Sequence, residues 1–146
     1  MALKLSTGLR TALAGTVGLK SILNGGFLDI YSGGQPAHPD YAETGTFLVR
    51  ITLGSSAGVG LTFGTAASGA LPKSADVWSG VVSVAGVAGY FRLYGTGGTS
   101  GSSATERRID GNVGVSGSGD LVISNSSIVL SATQTVDSFT LTVPGS

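Results

Sequence analysis

The sequence predicts a mainly β protein, a β-sandwich or jelly-roll of about seven or eight short antiparallel strands preceded by one N-terminal helix. From Phe27 onward, apolar and polar residues alternate with a period of two, as in strands with one wet face. Turns rich in Gly and Ser separate these runs at intervals of roughly 8 to 12 residues or a little more. Because the strands do not alternate with helices, a parallel α/β sheet with a cofactor crevice is disfavoured.

The N-terminal segment, residues 1–26, is predicted to contain an amphipathic helix over residues 6–23. Ser6 or Thr7 can cap its start, and Asn24-Gly25-Gly26 is a typical C-terminal stop. Three interior glycines each cost about 1 kcal/mol relative to Ala, so we expect this helix to need a surface to lie on. Its apolar stripe consists of Leu5, Leu9, Leu13 and Val17.

The remaining chain, residues 27–146, is predicted to form the β body, and the whole protein is expected to be a single domain. The fourth and fifth strands would form a hairpin joined at residues 86–89. The predicted strands cover residues 27–31, 47–53, 61–63, 76–87, 90–94, 108–115, 121–123 and 135–143.

Large side chains on the predicted hairpin are expected in the core, namely Trp78, Phe91 and Leu93. Two segments are predicted to be loops. Residues 32–40 contain two prolines and two glycines, which interrupt a strand ladder, and residues 95–103 carry no apolar side chain. We expect the second of these to be mobile and exposed, and we expect a tight turn at residues 116–120.

Composition restricts the possible functions. The chain has 146 residues, of which only 11% are charged and 25 are glycine, and its formal net charge is zero. Its basic residues are scattered, with Arg107-Arg108 the single adjacent pair, which disfavours binding to nucleic acid. No stretch approaches the roughly 18 apolar residues of a membrane span, so no membrane partner is expected. A net charge near zero makes self-association plausible.

The sequence contains no recognisable catalytic, metal or cofactor motif, so no enzyme activity and no cofactor are predicted. The single histidine, His38, lies in a predicted loop, and no serine is framed as Gly-x-Ser-x-Gly at a turn from a strand into a helix. With no cysteine, a metal site would depend on oxygen ligands. Asp110, Asn112 and Asp120 are candidates for calcium, but they lack the rest of a calcium-binding loop.

A carbohydrate-binding module is the main binding alternative, because such modules stack sugars on aromatic side chains exposed by a β-sandwich. Large aromatics on alternating strands usually fill the core instead. The available aromatics are Trp78, Tyr31, Tyr41, Tyr90 and Tyr94.

Six segments, spread over nearly the whole chain, resemble small structural proteins of tailed bacteriophages. Their motifs mostly mark turns and strand boundaries, so they indicate a family more than a specific function. They are Lys4-Leu5-Ser6-Thr7-Gly8-Leu9-Arg10, Asp29-Ile30-Tyr31-Ser32-Gly33-Gly34-Gln35-Pro36, Val77-Trp78-Ser79-Gly80, Gly89-Tyr90-Phe91-Arg92, Ile109-Asp110-Gly111-Asn112-Val113-Gly114 and Asp137-Ser138-Phe139-Thr140-Leu141-Thr142-Val143-Pro144.

This resemblance implies a virion component assembled in the host cytoplasm, on the head as a decoration or cement protein. Its partner would be the major capsid protein or another virion structural protein, and many weak contacts would add through multivalency. Symmetric self-association into a homo-oligomer is also expected. A tail, neck or baseplate position is the rival, and a divergent glycan hydrolase is the remaining enzymatic alternative.

The predicted apolar stripe offers a mechanism for attachment. Leu5, Leu9, Leu13 and Val17 are interface candidates, and the helix that bears them would pack either on a neighbouring subunit or on the chain's own sheet. In the first case the sandwich would bridge adjacent shell proteins. In the second case the helix would only complete its own domain.

Overall fold

A computed structural model describes residues 3–115 and 119–143. Its architecture confirms the predicted mainly β, sandwich-like fold with antiparallel sheets. The elements are β1 (Lys4–Leu5), α1 (Thr7–Ala14), α2 (Leu19–Leu23), β2 (Phe27–Ser32), β3 (Phe47–Leu53), β4 (Ala70–Pro72), β5 (Trp78–Val81), β6 (Gly86–Tyr94), β7 (Arg108–Gly114), β8 (Leu121–Val122), β9 (Ser127–Ile128), β10 (Thr133–Val136) and β11 (Thr140–Thr142).

The larger sheet follows the strand order β1-β7-β6-β2-β3-β5-β10, and every neighbouring pair along this path is antiparallel. Two short strands attach beside it: β8 runs parallel to β7, and β9 runs antiparallel to β6. A second, two-stranded sheet pairs β11 with β4. The center of the large sheet is therefore β6 and β2, which are flanked by long partners on both sides.

The apolar core lies between one face of the large sheet and the region of the small sheet. Trp78 is fully buried and contacts Phe63 edge-on at 5.0 Å and Phe139 at 5.9 Å between ring centroids. Phe139 also meets Phe91 edge-on at 5.6 Å. Since Phe63 and Phe139 lie beside β4 and β11, these aromatic contacts join the two layers, and the predicted core positions Trp78, Phe91 and Leu93 are confirmed.

The single helix predicted over residues 6–23 is wrong, because the structure has two short helices, α1 and α2, separated at residues 15–18. Ser6 caps α1 as expected, with its Oγ accepting the Leu9 N–H at 3.2 Å. Gly15 ends α1 with a non-helical ψ of −135°. Two of the three glycines that lower helix propensity, Gly15 and Gly18, thus flank the break, whereas Gly8 lies inside α1. Leu5 lies in β1 rather than in a helix.

The predicted hairpin of residues 76–87 and 90–94 is also wrong. Gly86–Tyr94 is one continuous strand, and β2 and β3 lie between it and β5. Gly89, which suggested a turn, lies within this extended strand. A Cβ at Gly89 would collide with the carbonyl oxygen of Gly33, so glycine is needed here for close backbone approach rather than for chain reversal.

Several other strand predictions hold. The strand predicted at 47–53 is β3, the one at 27–31 is β2, and those at 108–115 and 121–123 correspond to β7 and β8. Residues 61–63 form no strand; Phe63 makes one isolated bridge to Lys73. The run predicted at 135–143 divides into β10 and β11. Residues 116–118 of the predicted turn at 116–120 lie outside the described residues.

Candidate functional site

A row of five charged residues crosses the large sheet on the face opposite the apolar core. The strand register places Lys4, Asp110, Arg92, Asp29 and Arg50 directly side by side on β1, β7, β6, β2 and β3. We call these five residues the charge row. Their signs alternate along the row, so every cross-strand neighbour is of opposite charge, which is the favourable arrangement for directly opposed residues in a sheet.

The centre of the charge row is a buried, doubly hydrogen-bonded ion pair. Arg92 donates from Nε and Nη2 to the two carboxylate oxygens of Asp110, each at 2.7 Å, and both side chains are fully buried. Arg50 makes the same two-point contact with Asp29, at 2.7 and 2.8 Å, but its own side chain is 48% exposed. Planar two-point contacts of this kind fix orientation as well as charge.

The outer members of the row have different surroundings. Arg50 lies over the ring of Phe27 at 3.8 Å, a cation–π contact that covers the open end of the row. At the other end, the Lys4 ammonium donates to the backbone carbonyls of Ala37 and Pro36 at 3.2 and 3.4 Å. Lys4 thus connects β1 to the loop that follows β2.

Two loops cover this face: the first covering loop, residues 33–46, and the second covering loop, residues 95–107. Glu43 of the first loop accepts hydrogen bonds from Arg92 Nη1 at 3.0 Å, from the Tyr94 hydroxyl at 2.6 Å and from the Gly101 N–H at 3.0 Å. The Ser103 N–H donates to the Asp40 carbonyl at 2.8 Å. One carboxylate therefore joins both loops to the buried pair.

Tyrosines complete the layer beneath the loops. Tyr31 and Tyr90 stack at 5.0 Å, and Tyr94 stacks on Phe27 at 4.6 Å. The Tyr90 hydroxyl donates to the Thr44 carbonyl at 2.8 Å and accepts the Thr44 N–H at 3.0 Å. The hydroxyls of Tyr90 and Tyr94 thus each have a partner in the first covering loop, which offsets the burial of a phenol.

Arg108 anchors the second covering loop from below. It is fully buried and donates from Nη1 to the Pro39 carbonyl at 3.1 Å and from Nη2 to the Thr99 carbonyl at 2.6 Å. Its backbone N–H donates to Ser6 Oγ at 2.9 Å. Residues 95–103 of the second covering loop were predicted to be mobile and exposed. The loop is present, but it is held by Glu43 and Arg108 rather than free.

Burial and pairing shift the carboxyl groups in opposite directions. Burial raises the pKa values of Asp29 and Asp110, although the partner arginines act to lower them. Burial alone would also raise the pKa of Glu43, but its hydrogen bonds and the charge of Arg92 outweigh that effect, and the pKa lies below its usual value. Burial raises the pKa of Tyr31 to about 12. Of these three carboxylates, the one with a lowered pKa, Glu43, is therefore the one that holds both loops.

The members of the charge row and Glu43 already have partners within the chain, whereas the buried Nε of Arg108 has no hydrogen-bond partner among the described residues. A substrate would have to displace the covering loops to reach Arg92 or Asp110.

Elsewhere, an apolar groove of about 290 Å³ lies between α2 and β4, lined by residues that include Leu19, Leu71 and Val143. Small-molecule sites usually enclose about 300–1,000 Å³ and add a few convergent polar groups. This groove is smaller and has no polar lining surface.

The residues considered for chemistry have structural contacts. His38 Nδ1 accepts the Asp40 N–H at 3.1 Å and so braces the first covering loop. Asp120 Oδ2 accepts the Asn112 N–H at 3.1 Å while Asn112 Oδ1 accepts the Asp120 N–H at 3.0 Å, and Asp110 is bound to Arg92. Across the described residues, no group of three His, Cys, Asp or Glu side chains is placed to hold a metal ion.

The aromatics considered for carbohydrate binding are mostly inaccessible. Trp78, Tyr90 and Tyr94 are fully buried and Tyr31 is 6% exposed, whereas Tyr41 is 58% exposed. A single exposed aromatic does not form a platform for a sugar chain.

The four interface candidates do not share one free face. Leu9 is fully buried in the chain's own core, and Leu5 and Leu13 are partly buried against that core. Only Val17, in the break between the helices, is exposed, at 37%. Most of the stripe therefore packs against the protein's own core.

No sequence motif marked Arg92, Arg108 or Glu43 as a site residue. A signal was present for the first of them, since Tyr90, Arg92 and Tyr94 alternate with the core residues Phe91 and Leu93. That pattern predicts a polar, aromatic face opposite the core. It does not show that loops bury this face, because loop packing depends on residues far away in sequence.

Comparison with protein-family models, with curated proteins and with solved structures finds no match. Within residues 3–115 and 119–143, no helix is long and apolar enough to cross a membrane.

Proposed function

We propose that this chain is a non-enzymatic structural protein of a tailed-bacteriophage virion, acting on the head as a decoration or cement protein that docks on and bridges major capsid subunits. The proposal starts from the resemblance of six sequence segments to small structural proteins of such phages. It is strengthened by the way in which the chain uses its polar side chains.

The observation that carries the proposal is the charge row beneath its two covering loops. In a binding or catalytic protein, this loop-covered face of a sheet would be a natural place for a site. Here Arg92, Asp110 and Glu43 are bound to one another and hold both loops in place. Such an arrangement suits a rigid building block, because its buried ion pairs define one conformation and leave little to react.

The residues that form this row also lie in the segments that carry the resemblance. Lys4 is in 4–10, Asp29 in 29–36, Arg92 in 89–92 and Asp110 in 109–114. Four of the five members of the charge row thus lie in the segments that resemble structural proteins of tailed phages. The resemblance therefore concerns the frame of the fold, which favours a structural task over a particular chemistry.

A tail, neck or baseplate position remains the rival placement for the same kind of protein. A carbohydrate-binding role is less favoured, because four of the five candidate aromatics are buried. A glycan hydrolase is less favoured as well, since Asp29 and Asp110 are engaged by arginines and covered by loops.

Localisation on intact particles tests the proposal. Gold-labelled antibody against the purified protein should decorate the phage head in electron micrographs. Label confined to the tail, neck or baseplate would support the rival placement, and absence from purified particles would overturn the virion proposal. Cleavage of host polysaccharide by the purified protein would overturn the non-enzymatic part.

A binding experiment then tests Val17, the exposed member of the predicted stripe. Particles lacking this protein should bind the added wild-type chain, and Val17→Asp should weaken that binding. Val59→Asp is the matched control, because Val59 is similarly exposed, at 45%, but lies in a loop between β3 and β4. Equal binding by both variants would remove Val17 from the docking surface.

A further inference from the structure

The large sheet ends in two very different edges. At one end, β1 is two residues long and carries Lys4, which is a common way of blocking an edge against further pairing. At the other end, β10 has the sequence Thr-Gln-Thr-Val, with no charge and no proline. Among the described strands, β5 is its single neighbour in the sheet.

The region around β10 is unusual for its lack of charge. The chain has 16 charged residues, eight of each sign, yet none lies in residues 77–91 or 121–136. The two stretches are bonded to each other through β5 with β10 and β6 with β9. A two-fold contact places a surface against its own copy, so every charge near the axis meets a like charge. The two uncharged stretches avoid that repulsion, and the charged residues Lys73, Asp76 and Asp137 line a depression at the C-terminal end of β10.

We propose that β10 pairs antiparallel with β10 of a second copy of this chain, around a two-fold axis at Gln134. The inference concerns self-association and does not rest on the proposed virion function. It assigns a defined interface and a defined partner to the free edge.

The backbone pattern supplies the register. The Val82 N–H donates to the Ala132 carbonyl at 2.9 Å, and bonded pairs alternate along an antiparallel ladder. Gln134 therefore exchanges bonds with Gly80, whereas Thr133 and Thr135 point their N–H and C=O groups away from β5. In the dimer, Thr133 of each copy would face Thr135 of the other, giving about four backbone hydrogen bonds.

Side chains fit this register. Gln134 faces Gln134 of the second copy across the axis. In the single chain, its Nε2 donates to the Thr135 carbonyl at 2.8 Å, an oxygen with room for a second donor. Asp137, the first charged residue after β10, falls opposite Ser131 of the other copy, so the two carboxylates do not meet.

Exposed apolar residues at the start of β10 extend the contact. Val129 and Leu130 are 65% and 56% exposed, and Val81, which pairs with Thr133, is 55% exposed. A four-residue strand pair alone is too small, because stable interfaces bury about 1,200 Å² or more in total. These exposed apolar residues, which lie outside the four-residue pair, would supply the further area.

Charge substitution at the axis gives a sharp test by sedimentation velocity. The wild-type chain should sediment as a dimer of the 14.4 kDa protomer. Gln134→Lys and Gln134→Glu should each raise the dimer dissociation constant several-fold, since like charges then face each other. An equimolar mixture of the two variants should restore the dimer. Val59→Lys, with the same added charge away from β10, should remain dimeric.

A wild-type measurement covers the case in which a variant fails to fold. In hydrogen exchange followed by NMR, the Thr133 and Thr135 amides should be protected in concentrated samples and lose protection on dilution. A monomeric wild-type chain at all accessible concentrations would overturn the proposal, as would dimers that ignore both Gln134 substitutions or a mixture that stays monomeric. None of these results depends on phage particles, so they leave the proposed function untouched.

Discussion

One face of strands β2 and β6 packs Leu28, Ile30 and Leu93 into the apolar core, whereas the opposite face carries Asp29 and Arg92 beneath two loops. Both faces exclude water. The first needs only apolar side chains of suitable shape. The second is stable only when each buried charge has its partner in place. Apolar packing thus tolerates small errors, while the charge row is sensitive to the loss of a single member.

The largest expected effect comes from leaving one buried charge without a partner. Arg92→Leu removes the cation between Asp110 and Glu43, and we expect a loss of about 3–5 kcal/mol in the free energy of unfolding. Urea denaturation followed by the fluorescence of Trp78, the single tryptophan, measures this loss.

The double variant Arg92→Leu with Asp110→Leu is the matched control. Because it removes both buried charges, it should recover much of the stability lost in the single variant. A single variant with near wild-type stability would show that the ion pair does not determine the stability of this face.

A smaller loss is expected on the apolar face. Leu28 is fully buried, so Leu28→Ala should lower the free energy of unfolding by about 3 kcal/mol through lost burial and a residual cavity. The same urea titration applies. Leu28→Met, which nearly conserves volume, should cost less than about 1.5 kcal/mol. Equal losses in the two variants would contradict a packed core at this position.

Glu43 links the charge row to both loops, and its replacement should have an intermediate effect. Glu43→Gln keeps the shape but removes the charge beside Arg92, with an expected cost of about 1–2 kcal/mol at neutral pH. Amide exchange at Gly101 should accelerate, because its N–H donates to this carboxylate. Unchanged exchange would mean that the second covering loop is held by other contacts.

The same variant should change the response to acid. The folded pKa of Glu43 is lowered, so its contribution is present above the unfolded value of about 4.3 and is lost as the pH falls through the folded value. Glu43→Gln should therefore lose less stability than wild type between about pH 6 and pH 3. A larger acid loss in the variant would reverse the assigned sign.

The smallest effect is expected at the open end of the row. Arg50→Lys keeps the charge beside Asp29 but removes the two-point contact and weakens the stacking on Phe27. Because the Arg50 side chain is half exposed, we expect a change of about 1 kcal/mol or less in the urea titration. A loss as large as that of Arg92→Leu would mean that the two ends of the row are equivalent.

Particular residues show how far sequence patterns reach. The strand at 47–53 was predictable to the residue because the apolar residues Val49, Ile51 and Leu53 alternate with Arg50 and Thr52. Glycine was harder to interpret, because one residue type serves several purposes. At Gly15 it ends a helix, whereas at Gly89 it lets another backbone approach a continuous strand, and only the packed fold distinguishes the two.

The apolar stripe illustrates a second limit. Periodicity correctly marks Leu9 as a residue that must be covered, but it does not say by what. In the fold, Leu9 joins the chain's own core, and Leu5 pairs with Ile109 across more than a hundred residues of sequence. Contacts over such separations leave no local pattern.

The sequence by itself determined the mainly β class, the alternation that separates core from opposite face, and the cap at Ser6, because these depend on residues close together in the chain. Only the tertiary structure decided that Lys4, Asp110, Arg92, Asp29 and Arg50 form one row of alternating charge. It also decided that two glycine-containing loops are held over that row. Each charge is explained by partners on other strands, and strand order is set by the burial of the whole sheet rather than by any one segment.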